Sequence, residues 1–303
     1  MVILEGGALR RRRYMVRPPI FDTSSQTPYG QGMKHSNTTL PPDYHSHTRL
    51  CKHAEGTPID YARAAATRGL PAMICTDHSP FPEPFSPHVR MALDEFEMYC
   101  EWVAEAAALS EIPVFLGLEA DYYNGCEPFL SEWLPQQPFD YVLGSVHFVH
   151  YDREQDHALT GVCDYPDIVK CWEVYFDCVG KLADTGLYDA AAHLDLPKKF
   201  RAPPPPEEIE RIVKPALDKI AAAGMAMEIN TSGFIHGCAE QYPSQTILEW
   251  ACERGIPITF GSDSHQPERM GADFERAVEV AQAAGYTQRA EYQARQRTLV
   301  PLA

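Results

Sequence analysis

Nine side chains of the metal-binding type recur along this chain in a fixed order. They are His45 and His47 in DYHSH, His53 six residues on, His78 in ICTDH, Glu119 in LGLE, His147 in GSVH, His193 in AAHLD, and Asp263 with His265 in GSDSH. Imidazole and carboxylate are the ligands that Zn²⁺, Mn²⁺ and Fe²⁺ take from proteins. A single ion takes about three or four of them, so nine imply two or three divalent ions sharing one site. Clustered divalent ions activate water and polarise an ester, which is chemistry for hydrolysis. One histidine taken alone usually has an ordinary core or surface role. Here seven of the chain's 12 histidines fall in the set. Packing seven imidazoles and two carboxylates together without a cation carries a desolvation penalty that coordination removes.

Each of these residues ends or follows a short apolar run. The strand-like runs are 44–47, 72–76, 114–119, 141–147, 190–194, 225–230 and 256–261. Helical patterns lie between most of them, at 57–68, 164–185, 206–223, 244–253 and 268–284. The first opens on a Thr57-Pro58 pair, a helix-start signal. The second carries an apolar stripe through Val169, Trp172, Phe176 and Val179. About seven βα units result, the alternation that builds parallel sheets and α/β barrels. In such barrels the C-terminal edge of the strands gathers side chains from distant parts of the sequence onto one face. His45 and His47 are two apart, so a strand points both the same way, and Asp263 with His265 repeats the spacing. His53 falls in the loop before the first helix. Residues 1–40 differ: four arginines at 10–13, then Pro, Ser, Thr, Gln and Gly without hydrophobic period. They read as a poorly ordered extension, leaving 41–303 as one domain.

The motifs resemble those of the PHP family, the polymerase-and-histidinol-phosphatase metal hydrolases. The matching elements are His45-Ser46-His47, Thr76-Asp77-His78, Gly144-Ser145-Val146-His147 and Ser262-Asp263-Ser264-His265, in order, within about residues 42–285. The segments CKHAEG, GLEADY, FDYVLGSVHF, AAHLDLPKKF, EINTSG, YPS and ITFGSDSH resemble the histidinol-phosphatase branch of that family. The N-terminal arm and the proline run at 203–206 depart from it and touch no motif. The resemblance implies a distorted (β/α)₇ TIM-like barrel in a single domain. It implies a ligand partition too: His45, His47, Glu119 and Asp263 on a first metal; Glu119, His147 and His193 on a second, with Glu119 as bridge; His53, His78 and His265 on a third. The reaction it implies is hydrolysis of L-histidinol phosphate, in L-histidine biosynthesis, by metal-activated hydroxide. Zn, Fe and Mn all suit such mixed nitrogen and oxygen ligands.

A phosphate ester also calls for a cation that is not a metal. Lys198, Lys199 and Arg201 follow the His193 strand end, and Arg269 lies four residues past His265; the alternative for each is a solvated basic loop. A substrate amine and imidazole favour acidic neighbours, for which Glu83 and Asp121 are candidates, although either could equally cap a helix or face water. Asn230 and Ser232 end the sixth strand as hydrogen-bonding candidates, and His236 follows as a pocket candidate. Asp77 and a metal-bound water are the two candidates for protonating the leaving group. Cys75, beside a metal motif, reads as strand packing rather than a nucleophile.

Composition limits the alternatives. The chain has 303 residues, 45% of them apolar, enough for a sizeable core. No apolar run reaches the roughly 18 residues of a membrane span, and no secretory signal is visible, so a cytoplasmic protein is expected. The nine cysteines are scattered, odd in number and never in CxxC, which argues against disulfides and thiolate zinc sites. A net charge of −16 repels nucleic acid and suits a small substrate carrying positive charge. The expected partner is a small phosphate monoester, with neither nucleic acid nor membrane; oligomeric state is left open. Two other readings stand beside this one: a PHP phosphoesterase for nucleotides or nucleic-acid ends, and a non-catalytic metal-binding module. The absence of a basic aromatic stripe weighs against the first, and the intact ligand set against the second.

Overall fold

The computed structural model of the chain describes residues 40–82, 85–150 and 159–302. The expected N-terminal extension lies, apart from Leu40, outside them, as does Glu83. In chain order the elements are α1 (Pro58–Arg68), β1 (Met73–Cys75), α2 (Phe96–Leu109), β2 (Val114–Asp121), α3 (Glu127–Trp133) and β3 (Tyr141–Ser145). A short antiparallel pair, β4 (Phe148–His150) and β5 (Leu159–Gly161), leads to α4 (Ile168–Thr185), β6 (Ala190–Ala191), α5 (Pro206–Ala222) and β7 (Ala226–Asn230). Then come α6 (Gln245–Glu253), β8 (Ile258–Gly261), α7 (Phe274–Ala283) and a terminal hairpin, β9 (Gln288–Gln293) with β10 (Gln296–Pro301).

Six strands pair in parallel in the order β1-β2-β3-β6-β7-β8. With helices outside and side chains filling the inside, both faces are covered, and all eight residues of β2 are buried. Residues 43–47 close the sheet as a seventh stave. On one side Asp43 N–H donates to Ala72 O (3.2 Å) and Ile74 N–H to Asp43 O (2.8 Å); on the other Tyr44 N–H donates to Phe260 O (2.9 Å) and His47 N–H to Ser264 O (2.9 Å). The distorted seven-stave barrel expected from the resemblance is therefore the observed fold. The stave at 43–47 is only a set of isolated bridges, because side chains replace part of its ladder. Asp43 Oδ1 accepts from Ser262 N–H at 3.0 Å, and Thr76 Oγ1 accepts from Ser46 N–H at 3.1 Å.

Local chemistry starts and stops the helices. Thr57 and Asp60 form a capping box on α1, Pro58 takes the first turn, and Gly69 ends the helix at φ 81°. Asp167 caps α4 by accepting from Lys170 N–H at 3.0 Å. Helix α2, which was not named from sequence, buries Phe96, Tyr99, Val103 and Ala106. At the N-terminal end of the barrel, Tyr44, Ile74, Phe115, Tyr141 and Leu143 pack with small residues Ala190 and Ala226, and the terminal hairpin adds Ala290 and Tyr292. The hairpin thus plugs the barrel floor. Its turn places Ala294 and Arg295 at φ 48° and 62°, a primed turn without the Asn-Gly signal that usually announces one. No helix among the described residues is long and apolar enough to cross a membrane.

Candidate metal centre

All nine ligand-type side chains converge at the C-terminal ends of the staves. His45 and His47 sit on the 43–47 stave, His78 three residues past β1, Glu119 within β2, His147 and His193 two residues past β3 and β6, and Asp263 and His265 just past β8. His53 follows a 3-10 turn at Arg49–Cys51 that Thr48 caps. Strand β7 supplies no ligand.

Five sets of possible ligand atoms lie within 4.8 Å of one another among the described residues: His45, His47 and Glu119; Glu119, His147 and His193; His53, His78 and His265; and two that overlap these, His47, Cys51 and His265, and His78, Asp121 and His147. The Glu119 carboxylate faces two ways. Its Oε2 lies 3.4 Å from His45 Nε2 and 3.6 Å from His47 Nε2, while its Oε1 lies 3.0 Å from His193 Nε2 and 3.6 Å from His147 Nε2. Asp263 Oδ1 completes the first set, 3.1 Å from His47 Nε2 and 3.6 Å from His45 Nε2. His78 Nδ1 reaches Glu119 Oε2 at 2.8 Å, so the first and third sets adjoin.

The hydrogen bonds fix which nitrogens are free. Four imidazoles are tied back at Nδ1 by pure acceptors: His45 by Glu228 Oε1 (2.6 Å), His147 by Asp121 Oδ1 (2.6 Å), His53 by Cys51 O (2.8 Å) and His265 by Asp263 O (3.0 Å). Each Nδ1 must therefore donate, which leaves a lone pair on Nε2 in the neutral ring. Those lone pairs point at other acceptors. His53 Nε2 and His265 Nε2 are 2.9 Å apart, and the buried His45 Nε2 and Glu119 Oε2 have no hydrogen-bond partner. Acceptors facing acceptors need a proton or a cation between them, most of all where they are fully buried, as His45 Nε2 and Glu119 Oε2 are. The donor set, four-nitrogen tie-back included, fits divalent metal ions of the Zn, Fe or Mn type.

Electrostatics divide the cluster. Burial alone pushes every imidazole pKa down. At His45 the carboxylates of Glu228, Asp263 and Glu119 override it and hold the pKa well above the usual value; at His47 Asp263 and Asp77 do so, up to about 9. His147 is likewise raised against burial by Asp121 and Glu119. On the third set burial prevails, reinforced by neighbouring imidazoles: His78 falls to about 4 and His265 to about 2. Glu119 and Asp263 are held well below the carboxylate range, because the surrounding histidines outweigh burial. One side of the cluster is thus rich in carboxylates and the other in imidazoles.

The remaining sequence candidates separate. Asp121 is buried and paired with Arg90 Nη2 at 2.8 Å as well as His147, so it orients a ligand instead of facing a substrate amine. Asp77 is buried and accepts from Thr48 N–H, Thr48 Oγ1–H and His78 N–H, which ties together the loops that carry His47 and His78. Lys198 is buried, its ammonium held by Asp195 (3.0 Å), Glu240 (2.8 Å) and Gln241 O (2.9 Å). That pairing, and Arg201's donation to Tyr165 O and Val162 O, withdraw both from the phosphate role expected of them. Arg269 pairs with Asp273 at 3.3 Å, both side chains partly exposed. Asn230 and Ser232 lie inside the site's support: Asn230 Nδ2 donates to Glu228 Oε2 at 3.1 Å, and Ser232 Oγ donates to Asp263 Oδ2 at 3.2 Å. Lys199 and His236 remain at the rim, both half-buried. Lys199 Nζ lies 5.5 Å from the Phe200 ring centroid, the same ring that packs on His236. His236 feels both Lys199 and Asp263, and burial followed by Lys199 lowers its pKa. Two functional residues escaped the sequence reading: Arg90, which stacks on Phe81 and Phe85, and Glu228. Glu228 carried a signal, a carboxylate inside the apolar run AMEIN.

The chain is similar to known proteins in both sequence and fold. The PHP domain model matches residues 43–232. A Deinococcus radiodurans protein named probable histidinol-phosphatase is 38% identical over 253 residues, 81% of this chain and 94% of that protein. The histidinol-phosphatase of Bacillus subtilis is 28% identical over 264 residues, 78% of this chain and 98% of that protein. In fold, the chain matches the crystal structure of histidinol phosphate phosphatase from Lactococcus lactis, complexed with zinc, L-histidinol and phosphate. The TM-score is 0.69 at 22% identity, with 85% of this chain and 98% of that one covered. This chain belongs to the PHP-domain family.

Proposed function

We propose that this protein is a divalent-metal-dependent phosphomonoesterase that hydrolyses L-histidinol phosphate to L-histidinol and phosphate, a step of L-histidine biosynthesis. The observation that carries the chemistry is the Glu119 carboxylate, whose two oxygens face two different sets of imidazoles. The substrate rests on the 38% identity to a protein named probable histidinol-phosphatase. Two to three ions are proposed: one held by His45, His47, Glu119 and Asp263, one by Glu119, His147 and His193, and one by His53, His78 and His265. Such ions, when bound, acidify a coordinated water and neutralise charge on phosphoryl oxygens.

The chain's own residues do the rest. Tied-back Nδ1 atoms hold four Nε2 lone pairs inward, so the ligands need not reorganise during turnover. Lys199, which makes no ion pair among the described residues, offers the rim cation for the substrate phosphate. His236 beside it has a lowered pKa, from burial first and Lys199 second. It is therefore neutral at pH 7 and can hydrogen-bond a cationic leaving group without repelling it. The net charge of −16 also favours that cation over a nucleotide.

Phosphate release from a panel of histidinol phosphate, nucleoside monophosphates and sugar phosphates tests this reading. Histidinol phosphate should lead in kcat/KM by at least about 100-fold. Lys199→Ala should raise KM for all the esters alike, by about tenfold. A panel led by nucleotides or nucleic-acid ends would transfer the assignment to that branch of the family.

A further inference from the structure

Strand β7 is the one stave that sends no ligand to the metal centre, yet its C-terminal half is polar. Glu228 is fully buried there, and its two oxygens are divided between the 43–47 stave, on the far side of β8, and β6. Oε1 accepts from His45 Nδ1 at 2.6 Å, and Oε2 accepts from the His193 backbone N–H at 2.8 Å. Asn230 Nδ2 adds a third donor at 3.1 Å. His45 belongs to the first ligand set and His193 to the second. His193 also has φ 22°, in the left-handed region that L-residues seldom adopt, so something must hold its backbone there.

Space for this carboxylate is built into the adjoining stave. A Cβ at Gly261, the last residue of β8, would meet Glu228 Oε1 at 2.0 Å and His45 Cβ at 2.5 Å. Any side chain at 261 would push the carboxylate off His45. Strands β7 and β8 thus reserve a pocket for one carboxylate that touches no metal position itself and reaches ligands on either side.

We propose that Glu228 is a positioning residue that couples the first and second metal positions. It fixes His45 with its proton on Nδ1 and Nε2 free, and it pins the backbone that presents the His193 ring. Glu228 therefore sets the spacing of two ligands that belong to different ions. The proposal rests on the metal-centre reading and concerns the chain's residues, not the substrate.

Glu228→Gln is the test, because it keeps size while replacing one acceptor with an NH₂ group. That group must face either His45 Nδ1–H or His193 N–H, donor against donor. The variant should keep the wild-type near-ultraviolet circular dichroism, yet hold metal about 10–100-fold more weakly. Its cobalt-substituted form should show altered d–d bands, and kcat should fall while KM stays within about twofold. Wild-type metal titration, cobalt spectrum and kcat in a folded variant would overturn the proposal. A wild-type protein that binds no metal would instead overturn the metal-centre reading, so the two failures are distinct. Should the variant not fold, assigned ¹⁵N-histidine spectra of the zinc-loaded wild type decide alone. His45 must carry its proton on Nδ1, and a bare Nδ1 contradicts the proposal.

Discussion

At the C-terminal end of the staves, buried polar atoms face one another unsatisfied; at the N-terminal end, every tyrosine hydroxyl of the floor has a partner. The upper set leaves His45 Nε2, Glu119 Oε2 and His193 Nδ1 without hydrogen bonds. On the floor Tyr44 Oη accepts from Tyr292 N–H at 2.8 Å, Tyr292 Oη donates to Asp189 O at 3.0 Å, and Tyr141 Oη meets Thr259 Oγ1 at 3.3 Å. The three rings pack edge-on or tilted, with Tyr141 5.1 Å from both Tyr44 and Tyr292. The stave at 43–47 gives Tyr44 to the floor and the residues just after it, His45 and His47, to the rim. A group left unpaired inside a protein destabilises it unless something else binds there. The contrast therefore assigns stability to the floor and function to the rim, and it predicts that each can be damaged separately.

The largest separation comes from Glu119→Gln. Loss of the shared carboxylate should remove metal from two ligand sets and lower kcat/KM by at least about 100-fold, since one lost partner already costs about 10–100-fold. The chelated variant should unfold at a lower temperature than the chelated wild type, because the imidazoles that hold Glu119 ionised lose their buried partner, so the separation is read in metal content and kcat/KM. Activity within about twofold of wild type would break the contrast from above.

Tyr292→Ala attacks the other end. It removes a buried ring and the hydrogen-bond donation to Asp189 O from the floor, for a cost of about 3 kcal/mol. The expected fall in Tm is about 6–12 °C, with kcat well below the unfolding range within about twofold of wild type. A large kcat loss in the folded variant would show that floor and rim are one mechanical unit.

Metal retention should depend on pH on the carboxylate-rich side. In the metal-free protein His47 is raised to about 9, against burial, by Asp263 and Asp77, so at pH 7 it carries a proton that metal must displace. Affinity then falls as pH falls, by about tenfold per unit for each displaced proton. Zinc titrations at pH 6 and pH 8 check this; equal affinity at the two would contradict it.

The nine candidate ligands could be named from the sequence because type and place coincide: a histidine or carboxylate at the end of an apolar run is visible without coordinates. The same runs gave the alternation of strands and helices, and the family resemblance gave the seven-stave barrel. Three features were not legible, each for a physical reason. The floor hairpin turns on Ala294 and Arg295 at positive φ, and neither residue type signals such a turn. The 43–47 stave is bound partly through side chains of Asp43 and Thr76, which no periodicity reveals. Lys198 and Arg201 looked like phosphate cations because sequence shows charge but not partners; Asp195 and Glu240, and the carbonyls of Tyr165 and Val162, already hold them.

The smallest effect should come from deleting residues 1–39. All seven staves and the nine candidate ligands lie between Asp43 and His265, so Tm and kcat should stay within about 2 °C and about twofold, as for a terminal segment that supplies neither stave nor ligand. A larger fall in Tm would show that the segment contributes to the barrel.

The central claim, that the rim of this barrel is a metal centre for phosphate-ester hydrolysis, is tested most directly by one titration. Protein stripped by a chelator is reconstituted with zinc, iron or manganese while bound metal and phosphate release from histidinol phosphate are followed together. The stripped protein should show no turnover, and full turnover should require at least two bound ions per chain. Full turnover without metal, or a chain that binds none, would contradict it.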